Sequence, residues 1–125
     1  MPNKRILLVE DDFMNMRLAH HILEVEGYCV LKASTAQEAL EQIESTLPDL
    51  ILMDVQLPDM DGMTVVRILR ESAITRDTTI LALTACAMKG DRERILQIGC
   101  NGYISKPIAV QDFVNTVRSF LSPKT

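Results

Sequence analysis

No stretch of this 125-residue chain is apolar for long enough to cross a membrane. The longest strictly apolar runs extend about four residues, against the roughly twenty that a spanning helix needs. Cysteine is scarce too: three residues, an odd number without C-x-x-C spacing, which argues against a disulfide framework and fits a reducing cytoplasm. Positive charge is in deficit. Thirteen Lys and Arg against 17 Asp and Glu leave a net charge of −4, which opposes electrostatic binding to nucleic acid or anionic lipid. The basic start Met1–Arg5 leads into an apolar run that breaks at Glu10, too early for the core of a secretory signal. Repeats, low-complexity tracts and linkers are also missing. The reading left is one cytoplasmic domain over residues 1–125, with 47% hydrophobic and 24% charged residues, enough to bury a core. The chain stops four residues after Leu121, so no attached output domain is expected.

What is present is a set of short apolar runs, each ending on a polar residue. Ile6–Val9 ends at Glu10-Asp11-Asp12, Leu50–Met53 at Asp54, Ile80–Leu83 at Thr84, and Gly102–Ser105 at Lys106-Pro107. Runs of this length bounded by turn formers suit buried parallel strands. Helical patterns alternate with them. Leu18, Ile22 and Val25 recur at helical spacing before Gly27, which suits a helix stop. A second strand is expected over Tyr28–Ala33. Thr35 and Glu38 then have the spacing of a capping box, ahead of an apolar face of Ala36, Ala39, Leu40, Ile43 and Leu47. Leu57–Gly62 is dense in turn formers, and Met63, Val66 and Leu69 open a third helix. Ile95 and Ile98 mark a fourth, closed by Gly99. Val110, Phe113, Val114, Val117 and Leu121 give the last its apolar stripe. Five βα units predict an α/β fold with a doubly wound, five-stranded parallel sheet and five helices.

In such a sheet the ligand site lies outside the carboxyl ends of the strands. One mouth therefore gathers carboxylates, a hydroxyl and an ammonium, a set suited to a cation and a phosphoryl group. The Asp54 carboxylate can attack a phosphoryl group and hold it as an acyl phosphate. Attack by one anion on another needs neutralisation, normally by Mg²⁺, which takes about six oxygen ligands and keeps several as water. Glu10 and Asp11 offer one direct and one water-mediated contact, and the backbone carbonyl of Gln56 another. Lys106 and the Thr84 hydroxyl remain for the phosphoryl oxygens.

Leu8–Asp12, Met53–Pro58 with Met60-Asp61-Gly62, Leu83-Thr84-Ala85 and Ser105-Lys106-Pro107 together resemble the receiver domains of bacterial response regulators. The resemblance covers essentially the whole chain. It implies a flavodoxin-like sheet with strand order 2-1-3-4-5, and a phosphoryl group passed to Asp54 from a histidine kinase or histidine phosphotransferase. It further implies a metal on Glu10 and Asp11, phosphoryl contacts from Thr84 and Lys106, Tyr103 as a switch coupled to Thr84, and a cis bond before Pro107. Thr84–Asp91 without Cys86, Gly99-Cys100 with Tyr103–Ile108, and Asn15-Met16 are similar to stand-alone receivers of bacterial cell-cycle control. That likeness implies a partner that is itself a histidine kinase or kinase-like protein, at a cell pole. With no output domain expected, the chain reads as a non-enzymatic signalling protein whose downstream target is met through the fourth helix, fifth strand and fifth helix, around Met88, Lys89, Arg92, Tyr103 and Val110–Phe120.

Other residues have plainer readings. Asp12 is expected to cap the first helix, and Asp59 and Asp61 to serve as turn residues. His20 and His21 are adjacent, so a helix points them about 100° apart and no shared metal is expected. Cys29, Cys86 and Cys100 read as small buried hydrophobes. Rival functions meet specific obstacles. A haloacid-dehalogenase-type aspartyl-phosphate phosphatase needs a second Asp two residues after the nucleophile, where Gln56 stands. A flavin carrier needs a Ser/Thr-rich phosphate loop, where Glu10–Asp12 would repel phosphate. An interaction module that never carries phosphate would have no use for the intact acidic set.

Overall fold

The computed structural model of the protein describes residues 4–85 and 88–121. Five strands, β1 (Arg5–Val9), β2 (Cys29–Ala33), β3 (Leu50–Asp54), β4 (Thr79–Thr84) and β5 (Gly102–Ser105), alternate with α1 (Phe13–Val25), α2 (Ala36–Ser45), α3 (Gly62–Glu71), α4 (Lys89–Ile98) and α5 (Val110–Leu121). The strands form one parallel sheet in the order β2-β1-β3-β4-β5. Side chains alternate across a strand, and the central strands are apolar on both faces. Leu7, Val9, Ile51, Met53, Ile80 and Ala82 pack with α2, α3 and α4 on one side. Ile6, Leu8, Leu50, Leu52, Leu81 and Leu83 pack with α1 and α5 on the other. The two cores make the sheet doubly wound.

Local chemistry sets the element ends. Asp12 accepts from Asn15 N–H at 2.9 Å and caps α1, and Asp61 accepts from Met63 N–H at 2.8 Å and caps α3. Thr35 caps α2, whereas Glu38 reaches back to the amide and hydroxyl of Ser34, both at 2.8 Å, one residue beyond the N-cap amide of the ordinary capping box. Gly27 and Gly99 follow α1 and α4 at φ of +93° and +134°, backbone that other residues rarely adopt.

Several sequence expectations need correction. The buried stripe of α1 is Ala19, Ile22 and Leu23, while Leu18 and Val25 are exposed. Two overlapping apolar stripes run along this helix, and the small Ala19 lets it approach the sheet on one of them. Leu47 lies outside α2 and is exposed, because a residue before proline is steered out of helical backbone and Pro48 follows. Val110 opens α5 but is also exposed. Strand β2 begins at Cys29, not Tyr28, and Cys29 is exposed on this edge strand; Cys100 is buried as expected, and Cys86 lies outside the described residues.

Gly62 controls how closely α3 begins behind β3. Its amide donates to the Val55 carbonyl at 2.9 Å, and a Cβ placed there would stand 1.9 Å from the Asp54 carbonyl oxygen. Backbone on both sides leaves no flexible atom to yield. Gly62→Ala is therefore expected to destabilise the fold by about 3 kcal/mol, the upper end for overpacked sites. Urea denaturation checks this; an unchanged midpoint would contradict it.

Candidate functional site

Register builds the site. Val9 pairs with Met53 across β1 and β3, so Glu10 stands level with Asp54 at the carboxyl ends of these strands. Asp54 pairs with Leu83 and Thr84 with Ser105, which brings Thr84 and Lys106 to the same end. Chain order reverses here: β1 has β2 on one flank and β3 on the other, leaving the crevice where open α/β sheets bind ligands. Glu10, Asp54 and Thr84 are 1%, 3% and 4% exposed; Asp11 is exposed. Glu10, Asp11 and Asp54 each offer an oxygen within 4.8 Å of the others.

A single ammonium joins two of them. Lys106 Nζ lies 2.8 Å from Glu10 Oε1 and 3.0 Å from Asp54 Oδ2. The remaining oxygens take backbone donors: Gln56 N–H to Asp54 Oδ1 at 3.0 Å, and Asp12 N–H to Glu10 Oε2 at 3.1 Å. Lys106 N–H donates to the Thr84 carbonyl at 2.8 Å, and the Lys106–Pro107 peptide is cis. A cavity of about 70 Å³, lined by Asp54, Val55, Gln56, Thr84, Ala85 and Lys106, opens beside the carboxylate.

The structure thus gathers Glu10, Asp11, Asp54, Gln56, Thr84 and Lys106 at one mouth. Tyr103 sits apart on β5, half-buried; its hydroxyl accepts from Arg92 Nη1 at 3.2 Å, and that guanidinium lies 6.0 Å from the ring centre. One residue of the loop does more than its composition suggested. Asp59 accepts from the amides of Ala36 and Gln37 at the start of α2. An Asp in a turn-rich segment signals only local hydrogen bonding, and nothing in its spacing points to a helix more than 20 residues earlier.

Residues 6–118 match the family model of the response regulator receiver domain. The polar-differentiation response regulators DivK of Brucella ovis and Brucella anthropi are each 44% identical over 118 residues, covering 94% of this chain and 96% of theirs. Among solved structures, a putative response regulator from Chloroflexus aurantiacus superposes with a TM-score of 0.92 at 33% identity, covering 98% of this chain and all of the other. The receiver domain of the sensor histidine kinase PA1611 from Pseudomonas aeruginosa, solved with a magnesium ion coordinated in its active-site cleft, gives 0.88 at 34%, with 98% and 100% covered.

Clustering these charges perturbs them. Burial, reinforced by the hydrogen bond with Asp54, pushes the Glu10 carboxyl up to about 7, and Lys106 offsets only part of this. Burial works against the Lys106 ammonium, but Glu10 and Asp54 outweigh it and raise its pKa. In the metal-free protein, folded Glu10 holds its proton where the unfolded chain has released it. Its contribution to stability is therefore full below the ordinary glutamate pKa and is lost as pH rises toward about 7. Thermal melts in chelator are expected to fall across this window in the native protein and to fall less in Glu10→Gln. Parallel pH profiles would contradict the assignment.

Proposed function

The chain belongs to the response-regulator receiver family, and on that footing we propose that it is a stand-alone receiver, one domain over residues 1–125, that stores a phosphoryl group on Asp54. The observation that carries this is the buried Glu10–Lys106–Asp54 arrangement with Asp11 at its rim. A carboxylate oxygen of Asp54 forms a bond to phosphorus as the bond to the donor's imidazole breaks, leaving an acyl phosphate and a free histidine. The donor is a histidine kinase or histidine phosphotransferase. Lys106 follows the phosphoryl oxygens as a mobile positive charge, and the Thr84 hydroxyl donates to another of them. The three carboxylates suit a hard cation that prefers oxygen ligands. Glu10, Asp11, Asp54 and the Gln56 backbone carbonyl would hold Mg²⁺, which when bound neutralises charge between two anions. The magnesium-bearing kinase receiver supports this.

The protein signals rather than turning over an external substrate. Phosphorylation draws Thr84 toward the site and lets Tyr103 move inward, away from Arg92. The altered face is α4, β5 and α5, where Met88 and Val110 are 76% and 53% exposed. Moving such a switch from mostly off to mostly on takes roughly 5 kcal/mol of differential stabilisation, within reach of several charge-assisted contacts. A downstream protein reads that face. The DivK relatives, named as polar-differentiation response regulators, support a role at a cell pole, and we propose that this role lies in cell-cycle control in the cytoplasm. No helix among the described residues is long and apolar enough to cross a membrane.

Asp54→Asn is expected to abolish phosphorylation by acetyl phosphate with Mg²⁺, since an amide is not a competent nucleophile. Intact-mass spectrometry reads the gain of one phosphoryl group; undiminished incorporation would move the acceptor elsewhere. Beryllofluoride, an acyl-phosphate mimic, is expected to change amide exchange across residues 84–110 as well as at 10–12 and 54–62. Changes confined to the latter two segments would put the output face in the wrong place.

A further inference from the structure

The first turn of any helix leaves backbone amides without an intrahelical partner. In α2 these amides belong to Ala36, Gln37 and Glu38, and the intrahelical ladder begins when Ala39 N–H donates to the Thr35 carbonyl. Thr35 Oγ1 accepts from Glu38 N–H at 3.1 Å. The other two amides go to one distant side chain. Asp59 Oδ1 accepts from Ala36 N–H at 2.9 Å, and Oδ2 from Gln37 N–H at 3.1 Å. The Ala36 amide, joined by that of Gln37, holds this carboxyl below the usual aspartate range.

Asp59 belongs to the connection between β3 and α3. At the base of that connection Gln56 and Asp61 form an antiparallel bridge, and Gln56 N–H bonds Asp54 itself. Between them Leu57 and Met60 pack on the core under α2 and α3. The loop is thus fastened at its base to Asp54 and through Asp59 to α2.

We propose that Asp59 is a positioning residue for the metal site: by pinning the loop to α2 it fixes the Gln56 backbone, whose carbonyl completes the set made by Glu10, Asp11 and Asp54. This rests on the magnesium reading above. A cap that served only α2 would have no consequence at Gln56.

The test measures Mg²⁺ binding by titration calorimetry, with amide exchange alongside, on the full chain and its variants. Asp59→Ala is expected to raise exchange at Ala36, Gln37 and residues 56–61, and to weaken Mg²⁺ binding about tenfold, the lower end for outer-shell partners. Asp59→Asn keeps one acceptor oxygen and is expected to fall between. Thr35→Ala frays the same helix end from the other side, and is expected to leave Mg²⁺ affinity and exchange at Gln56 unchanged. If Asp59→Ala frays α2 yet binds Mg²⁺ like the native chain, Asp59 is only a cap and the proposal is wrong. Asp11→Ala separates the two levels. Native affinity in that variant would overturn the metal assignment itself, and the positioning role with it.

Discussion

Glu10 and Asp54 sit side by side, almost wholly buried, at the ends of two hydrogen-bonded strands, with one ammonium between them. Two carboxylates so placed repel, and burial removes the water that would screen them. Lys106 makes the pair tolerable, and backbone amides from Asp12 and Gln56 take oxygens that it leaves. The arrangement is tense in two ways useful to chemistry. Glu10 favours its proton, and the rim carboxylate of Asp11 adds an exposed oxygen toward the same point. A cation or a phosphoryl group arriving there meets groups already oriented and already short of solvent.

Everything else in the fold keeps those strand ends in register. The two cores grip the sheet from both sides with alternating residues of the same strands, so a slip by one position would exchange the faces of each strand. Gly62 lets α3 start against the Asp54 carbonyl, which brings the loop carrying Gln56 close to the Asp54 carboxylate. The opposite pole is stiff. Arg70 at the end of α3 donates to the carbonyls of Thr78, Arg76 and Gly99 and to the side chain of Asn101, at 2.6, 3.0, 2.8 and 2.9 Å. It ties α3, the approach to β4 and the exit from α4 into one unit. α4 is therefore fastened at its C-terminal end, while its start at Met88 is exposed and has no side-chain cap.

Much of this was legible in residue order because the signals are local. The runs Ile6–Val9, Leu50–Met53 and Ile80–Leu83 are too short for helices and too apolar for loops, and each stops on a residue that the sheet brings to one mouth. Capping at Asp12 and Thr35 is likewise settled within a few positions of chain. Apart from Leu47, which the adjacent Pro48 takes out of α2, the misjudged residues are those whose burial depends on a neighbour far away. Leu18 and Val25 belong to an apolar stripe as regular as the buried one, and the choice between stripes is made by the sheet. Cys29 has the composition of a core residue but stands at the start of an edge strand.

Sequence by itself determined the alternation of strand and helix and the polar residue at each strand end, since both follow from periodicity and short-range hydrogen bonding, and its motifs carried the resemblance to the receiver family. Tertiary structure alone decided that Lys106 would bridge Glu10 and Asp54, that Arg92 would meet Tyr103, and that Asp59 would close the amides of α2. These contacts join residues up to 96 positions apart, so they exist only once parallel pairing and crossover packing have brought the segments together. Periodicity carries information over a few turns of chain; the energy of a buried charge depends on whatever the folded chain places beside it.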